Sequence, residues 1–351
     1  MKRRTFLTHS GASVAGLAAL AGCIGESGDS GQTLTVATYS SFTGDGTAGN
    51  WLKSAFESEN PETTVEFQTT ENGVNEFIQR QSEDAPIEAD LFVGLNTGEL
   101  VRADEQPNNS LFASTGDQVD GIDEVKPELD FDPKGRVVPY DTGYISLVYD
   151  EGEVGEPATF DTLLEPEYED GLITQNAEGS DPGRAFLLWT IAEKGPDGYL
   201  DYWSQLVDNG AQILSDWGTA YEAYRNKEAP MVVSYSTDQV YYNGPDVDMS
   251  RHQIGFLNDQ GYANPEGMAQ FADADNPELA REFMSFMLTE EAQAEIASRN
   301  VQFPAVEGVD PGGDFGQYAL EPPEAVTYSY GELVGNVSGW IDDWARQIVS
   351  N

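Results

Sequence analysis

The sequence predicts an α/β protein whose chain crosses between two lobes, and three observations carry this prediction. A chain of 351 residues is long enough for two domains. Short apolar segments bounded by Gly, Ser and Thr alternate with helical patterns, which is typical of an open sheet. The apolar run Val137–Tyr149 is long for one strand and contains Pro139 and Gly143, which indicates a crossing between lobes.

The elements follow from local patterns along the chain. The β-branched segment from Thr33 to Tyr39 predicts a strand, and a loop rich in Gly, Ser and Thr separates it from a helix through residues 51–56. Further strands are predicted at 64–68, 90–94 and 231–235, and further helices at 75–81, 185–193, 199–207 and 219–227. Asn276 and Pro277 provide the cap and first-turn proline of a later helix. In such a sheet, ligands bind at the carboxyl ends of the strands.

The N-terminus has the order of a signal peptide over residues 1–22. Arg3-Arg4 before Phe-Leu resembles a twin-arginine export signal, and an apolar stretch too short to span a bilayer follows. Leu20-Ala21-Gly22-Cys23 resembles a lipobox, whose cysteine carries the lipid in the mature chain. Residues 23–32 then read as a flexible tether.

The charge is strongly acidic. The 62 Asp and Glu residues outnumber the 17 Lys and Arg residues, which gives a formal net charge of −45. Nucleic acid and bare anionic membrane would be repelled, so no nucleic-acid partner is expected. So few basic residues among so many carboxylates predict a halophilic protein. In molar salt the Debye length falls to roughly 3 Å, so the repulsion between the carboxylates is screened.

The residues needed for several kinds of catalysis are scarce. His9 lies in the leader, so His252 is the single imidazole of the exported chain, and Cys23 is the only cysteine. A transition-metal site and a Ser–His–Asp triad therefore lack side chains that they need, and we expect no metal and no cofactor. A secreted glycoside hydrolase stays open as an alternative. Such enzymes use a pair of carboxylates, and so many acids offer many such pairs.

Seven segments between about residues 33 and 346 carry a resemblance to a known family, both in their residues and in their order along the chain. They are Thr38-Tyr39-Ser40-Ser41-Phe42, Glu71-Asn72-Gly73-Val74, Val93-Gly94-Leu95-Asn96, Val138 to Tyr144 with Val148-Tyr149-Asp150, Ser180-Asp181-Pro182-Gly183 before Leu187-Leu188-Trp189, Asp216-Trp217-Gly218-Thr219-Ala220-Tyr221, and Val233-Ser234-Tyr235-Ser236-Thr237. In this order they resemble the solute-binding proteins of ABC importers, and most closely the thiamine-binding receptors.

This resemblance implies a two-lobed periplasmic-binding-protein fold of type 2. Each lobe is expected to be a mixed sheet flanked by helices, and crossing strands join the lobes at a hinge. The predicted boundaries are residues 33–139 and 264–310 for lobe 1, and residues 140–263 and 311–351 for lobe 2.

The resemblance also implies a pocket between the lobes, in which aromatic rings stack on thiamine. Tyr39, Trp217, Tyr235 and Tyr241 match the aromatic positions, although Tyr242 next to Tyr241 is able to take its role. The thiazolium cation of thiamine prefers the face of Trp or Tyr by roughly 0.5 to 2 kcal/mol. Asp141, which matches a family Asp, would accept a hydrogen bond from the aminopyrimidine and oppose the positive charge.

Further positions follow from the same resemblance. Asn72 falls where the motif can carry Asp, and Gly73 allows close backbone approach. The hydroxyethyl arm, or its phosphate, would meet Ser180, the Pro182–Gly183 turn and the start of the following helix, with Ser236 nearby.

Two more residues bear on this site. Arg184 either helps to bind a phosphate or pairs with neighbouring acids. Val301 stands where related receptors can carry an aromatic side chain, so one wall of the stack is expected to be incomplete.

Together these observations predict an exported lipoprotein, anchored to the outer face of the cell membrane through Cys23 and not an enzyme. As a monomer it would bind thiamine or thiamine phosphate and deliver it to an ABC permease. The alternatives are a receptor for ferric iron, a polyamine or an oligosaccharide and, from another class, the glycoside hydrolase.

Overall fold

The computed structural model describes residues 32–70, 72–107 and 110–349. The predicted signal peptide, Cys23 and all of the predicted tether except Gln32 lie outside the described residues.

The described residues form one sheet of eleven strands with helices packed around it. The strands are β1 Gln32–Thr38, β2 Thr63–Thr69, β3 Leu91–Leu95, β4 Val137–Tyr149, β5 Leu172–Gln175, β6 Gln212–Leu214, β7 Met231–Tyr235, β8 Gln253–Gly255, β9 Gln260–Gln270, β10 Phe303–Pro304 and β11 Glu324–Val326. The helices are α1 Ala48–Glu59, α2 Asn75–Ser82, α3 Thr97–Asp104, α4 Asp181–Lys194, α5 Tyr199–Asp208, α6 Trp217–Arg225, α7 Asp238–Tyr241, α8 Pro277–Met287, α9 Glu290–Asn300, α10 Gly313–Tyr318, α11 Tyr330–Leu333 and α12 Val337–Trp344. Every strand and helix predicted from sequence is present, with ends shifted by a few residues.

The strand order is β2-β1-β3-β9-β4-β7-β5-β6, with β8 and β10 paired to β4 and β11 paired to β9. β1 is parallel to β2 and β3, and β5 is parallel to β6 and β7. We call the half built on β1, β2 and β3 lobe 1, and the half built on β5, β6 and β7 lobe 2.

β4 and β9 join the two lobes. They pair with each other from Val137 opposite Ala269 to Ile145 opposite Tyr262, with a register irregularity between Pro139 and Asp141. The C-terminal end of β9 pairs with β3, whereas the C-terminal half of β4 pairs with β7. The run 137–149 is therefore the predicted crossing, and it is continuous as a strand despite its proline and glycine.

Each lobe has its own hydrophobic core. In lobe 1, β1 and β3 pack against α1, α8 and α9 through side chains such as Leu52 and Phe283. In lobe 2, β4 and β7 pack against α4, α5 and α12, and the core contains Trp189, Trp203 and Trp344, all fully buried. Different hydrophobic clusters on the two sides support a two-lobed architecture, while the exact lobe boundaries stay a prediction.

The start of α8 corrects one detail of the sequence reading. Pro277 occupies the first turn as expected, but Asn276 makes no side-chain capping bond. Its amide Nδ2 donates instead to the Thr33 carbonyl, and its backbone N–H donates to Asp90 Oδ1. Asn276 therefore ties α8 to strand β1. None of the helices in the described residues is long and apolar enough to cross a bilayer.

Candidate functional site

A cleft of about 270 Å³ lies between the lobes, at the carboxyl ends of the parallel strands. Lobe 1 contributes Tyr39 after β1, Gly94 on β3 and the Asn72–Gly73 loop after β2. Lobe 2 contributes the start of α4, the start of α6 and the end of β7. Glu266 on β9 and residues 300–302 at the end of α9 complete the lining. This is where an open α/β sheet is expected to bind a ligand.

Tyr39 forms the aromatic wall on the lobe 1 side, and its hydroxyl is held by three neighbours. It donates to Glu266 Oε2 at 3.0 Å, lies 3.3 Å from the Tyr140 hydroxyl and accepts from Asn300 Nδ2 at 2.9 Å. Tyr140 donates to the same Glu266 oxygen at 2.6 Å. Burial and the nearby Glu266 and Asp141 carboxylates raise the pKa of Tyr39 well above its usual value, so the phenol is neutral.

Gly94 makes room for the Tyr39 ring. Its φ of +103° is a conformation that residues with a Cβ rarely adopt. A Cβ at this position would lie 2.6 Å from Tyr39 Cε1. A larger residue would therefore both strain the backbone and displace the ring.

Trp217 forms the aromatic wall on the lobe 2 side, and it belongs to a ladder of rings. Its ring stacks on Tyr221 at 5.1 Å between centroids, Tyr221 stacks on Tyr242 at 5.6 Å, and Tyr242 stacks on His252 at 4.3 Å. The far end is fixed by Asp238, which accepts from the Tyr221 hydroxyl and lies 2.8 Å from His252 Nδ1. Only one hydrogen bond holds the indole itself.

That bond runs from Trp217 Nε1 to Ser234 Oγ at 3.0 Å. Asp216 caps α6 by accepting from the Thr219 backbone N–H, so Trp217 is the first residue of that helix. Tyr241, on the same side, keeps 57% exposure and lines the cleft, whereas Tyr242 belongs to the ladder behind it.

Tyr235 closes the cleft beside the crossing strands. A Cβ on Gly143 would lie 2.6 Å from Tyr235 Cδ1, so this ring packs directly on the β4 backbone. Burial, with Asp181, Glu266 and Asp141 nearby, raises the pKa of Tyr235 well above its usual value.

Carboxylates dominate the charge of the cleft. Four acids, Glu99, Asp181, Asp238 and Glu266, line it together with one basic residue, Arg184. Burial raises the pKa of Glu266 to about 7, and the nearby Asp181 adds to this effect. Burial also raises the pKa of Glu99 to about 7, although Arg184 opposes the shift. An acidic cleft of this kind favours a cation.

Three of the predicted site residues do not line the cleft. Asp141 is fully buried beneath it, with Oδ2 accepting from Asn300 Nδ2 at 2.9 Å and Oδ1 without a partner. Ser180 is buried at the start of α4, and Ser236 is fully buried with an unpartnered hydroxyl. Tyr39, Asn72, Gly73, Trp217, Tyr235 and Tyr241 do line it.

Val301 also lines the cleft, in an unusual backbone conformation. It follows α9 with φ +56° and ψ +45°, which is rare for a β-branched residue. It is buried with Phe303 and Phe315. No aromatic ring stands at this position.

Sequence reasoning missed the acids of the site. Glu266 lies on β9, a strand that was not predicted, and Glu99 is one acid among 62. Asp181 lay within a segment that resembles the receptors but was assigned no role. For Glu266 and Glu99 we find no sequence signal short of the fold itself.

The fold and the cleft define a two-lobed solute-binding protein. The sequence profile described as bacterial extracellular solute-binding protein matches residues 51–322. The chain belongs to this family, so it is an extracytoplasmic binding protein of the kind that serves ABC importers. The prediction that it is not an enzyme is confirmed, because the family is not enzymatic.

Individual relatives point the same way. The chain is 28% identical over 316 residues to the thiamine-binding periplasmic protein of Escherichia coli K12, covering 90% of this chain and 93% of that protein. It is 25% identical over 264 residues to iron uptake protein A1 of Synechocystis, covering 71% of each.

Solved structures confirm the predicted fold. A periplasmic thiamin binding protein superposes with a TM-score of 0.78 at 26% identity, covering 90% of this chain and 96% of that one. The ferric binding protein from Campylobacter jejuni superposes with a TM-score of 0.74 at 16% identity, covering 90% of this chain and 99% of that one, which supports the fold alone.

Proposed function

We propose that this protein captures thiamine, or a phosphate ester of thiamine, between its lobes and delivers it to an ABC permease. The observation that carries the proposal is the combination of aromatic faces with an excess of carboxylates in one cleft. The similarity to thiamine-binding periplasmic proteins over 90% of the chain supports the same ligand.

The chemistry of the cleft suits both ends of thiamine. A thiazolium over Trp217 or Tyr39 gains a cation–π contact, and the Glu266 carboxylate lies beside Tyr39. The aminopyrimidine offers N–H donors, and Gln302 Oε1, at the cleft, lacks a partner. A buried acceptor without a donor is costly, so a ligand that supplies one gains affinity.

Ferric iron fits this cleft less well. Iron would bind the phenolate form of tyrosine, yet burial raises the pKa of both Tyr39 and Tyr140 well above the usual value. Their hydroxyls also already donate to Glu266. The empty protein is therefore organised around neutral phenols.

Isothermal titration calorimetry of the purified chain in molar salt, with thiamine and its mono- and pyrophosphate, tests the proposal. We expect saturable binding of thiamine with one site per chain. Absence of heat and of a thermal shift with all three ligands would reject the vitamin as ligand. A visible absorption band on adding ferric citrate, without thiamine binding, would establish the iron receptor instead.

We also propose that the chain is exported and anchored through Cys23. The order of Arg3-Arg4, apolar stretch and Leu20-Ala21-Gly22-Cys23 supports this location. Cys23→Ser should move the mature protein from the membrane fraction to the medium. Retention of the variant in the membrane fraction would contradict the anchor.

The acidic surface supports a halophilic habit. With a formal net charge of −45, repulsion between carboxylates should loosen the fold in dilute buffer. We expect the melting temperature to rise by more than about 10 °C between dilute buffer and molar KCl, which for a chain of this length is an effect of roughly 7 kcal/mol or more in unfolding free energy. An unchanged melting temperature would refute the proposal.

A further inference from the structure

The end of the cleft at the start of α4 presents a fixed carboxylate. Asp181 is the first residue of α4, and its side chain accepts from Asn96 Nδ2 at Oδ1 and from Asn264 Nδ2 at Oδ2, the latter at 2.5 Å. Asn96 is itself fixed, because its Oδ1 caps α3 by accepting from the Glu99 backbone N–H at 3.0 Å. Both carboxylate oxygens of Asp181 therefore have fixed donors, and the group cannot easily turn away from the cleft.

Arg184, the neighbouring cation, lies deeper in the protein than this carboxylate. Its side chain is only 3% exposed, whereas that of Asp181 is 27% exposed. Arg184 Nη1 lies 3.6 Å from Glu99 Oε1 and 3.9 Å from Asp181 Oδ1, so the guanidinium sits behind two carboxylates. A group that enters this end of the cleft meets the Asp181 oxygens first.

The start of α4 is also poorly equipped to bind an anion. Pro182 has no N–H to donate. The Gly183 backbone packs so closely on Gln175 that a Cβ would lie 2.5 Å from the Gln175 carbonyl oxygen. Asp181 itself places a negative charge in the first turn of α4, where the helix dipole would otherwise favour a bound phosphate.

We propose that Asp181 makes this receptor selective for the unphosphorylated vitamin. Its carboxylate would accept a hydrogen bond from the hydroxyl of the hydroxyethyl arm and would repel a phosphate ester. The inference rests on the proposed function. A free hydroxyl donates a hydrogen bond to a carboxylate, and such charge-assisted bonds are the stronger ones. A phosphate monoester carries about −1.5 to −2 charges at pH 7 and offers acceptor oxygens that no group on Asp181 satisfies.

The test compares dissociation constants for thiamine and thiamine monophosphate, measured by calorimetry on the full chain at pH 8 in molar salt. We expect the wild-type protein to bind thiamine at least tenfold more tightly. Asp181→Asn keeps a side chain of the same shape and removes its charge. It should bring the ratio below threefold, mainly by strengthening binding of the monophosphate.

Glu178→Gln is the matched control, since this exposed acid lies three residues before Asp181 and is not part of the cleft lining. It removes the same charge and should leave the ratio unchanged. Thermal unfolding of each variant shows whether it is folded, and the wild-type ratio tests the inference even if Asp181→Asn does not fold.

Equal wild-type affinities for the two ligands, or the same ratio in a folded Asp181→Asn, would overturn the inference while leaving a thiamine receptor in place. Equal changes in Glu178→Gln and Asp181→Asn would reduce the effect to net charge and would also overturn it. Failure of every thiamine form to bind would instead reject the proposed function, and the inference with it.

Discussion

The two sides of the cleft hold their aromatic rings by different physical means. On the lobe 1 side, the Tyr39 hydroxyl is fixed by contacts with Glu266, Tyr140 and Asn300. On the lobe 2 side, Trp217 is fixed by stacking on Tyr221 and has a single hydrogen bond, to Ser234. Because the Tyr39 hydroxyl bonds to a titratable carboxylate, ligand binding on this side should depend on pH and on that hydroxyl. Binding on the Trp217 side should depend mainly on the apolar surface of the ring.

The largest effect is expected from Trp217→Ala, which removes the stacked wall itself. Loss of the cation–π contact and of the buried apolar surface should weaken thiamine binding roughly 100-fold by calorimetry. Trp51→Phe, on α1 outside the cleft lining, is the control and should bind as the wild-type protein does. A loss under threefold in Trp217→Ala would remove this side from the binding site.

Next in size is the pH dependence of affinity, which should come from the lobe 1 side. Because burial raises the pKa of Glu266 from 4.5 to about 7, the carboxylate is mostly protonated at pH 5.5 and mostly ionised at pH 8. If the cation binds only the ionised form, affinity falls roughly 30-fold between these values. Glu266→Gln should flatten the profile, and a wild-type-like profile in this variant would contradict the assignment.

The stability of the protein without ligand should change with pH in the direction opposite to the change in ligand affinity. Between pH 4.5 and 7 the folded state binds more protons at Glu266 than the unfolded chain does. The free energy of unfolding contributed by this group therefore decreases as the pH rises through that window. Urea unfolding of the wild-type protein and of Glu266→Gln, without ligand at pH 5 and pH 8, measures the contribution of Glu266 to the unfolding free energy. We expect the unfolding free energy to fall from pH 5 to pH 8 by a larger amount in the wild-type protein than in Glu266→Gln, because Glu99, whose pKa is also raised to about 7, is present in both.

A smaller effect is expected from Tyr39→Phe, which keeps the ring and removes its hydroxyl. Hydrogen bonds to charged groups contribute about 1.5 to 3 kcal/mol, but Tyr140 still donates to Glu266 in this variant. We expect a loss of roughly tenfold in thiamine affinity.

The smallest effect is expected from Ser234→Ala, because stacking on Tyr221 still orients the indole. Loss of one neutral hydrogen bond of about 0.5 kcal/mol corresponds to a roughly two- to threefold larger dissociation constant for thiamine. A greater loss in Ser234→Ala than in Tyr39→Phe would reverse the comparison between the two sides.

Local patterns predicted five of the eleven strands and six of the twelve helices in the described residues, namely those with the clearest apolar periodicity or capping signals. β9 was missed because Gly261, Pro265 and Gly267 within it are typical of turns. Its stability comes from pairing with β4, a non-local contact that no short pattern shows. Gly267 is even required there, because a Cβ would lie 2.2 Å from Val137 Cγ1.

The site was predictable where aromatic residues stand in specific segments, and less so for its acids. Trp217 and Tyr235 are flanked by residues that mark strand and helix ends, so their position at a cleft is readable. Glu99 and Glu266 are identical in type to the many surface acids, and only tertiary structure separates them. Asp141 was expected at the ligand, but the structure places it beneath the cleft floor.

The pairing of β4 with β9 constrains how the cleft can open. Because these strands are joined through the junction of the lobes, one cannot slide past the other without breaking the ladder, so the pair has to twist as a unit. Twisting is easiest at the irregularity between Pro139 and Asp141, where the ladder is already interrupted. Tyr140 lies at that irregularity, and Glu266 pairs with the next residue, Asp141. A rotation of the lobes at this point would therefore also move Tyr140 and Glu266, which contact the Tyr39 hydroxyl.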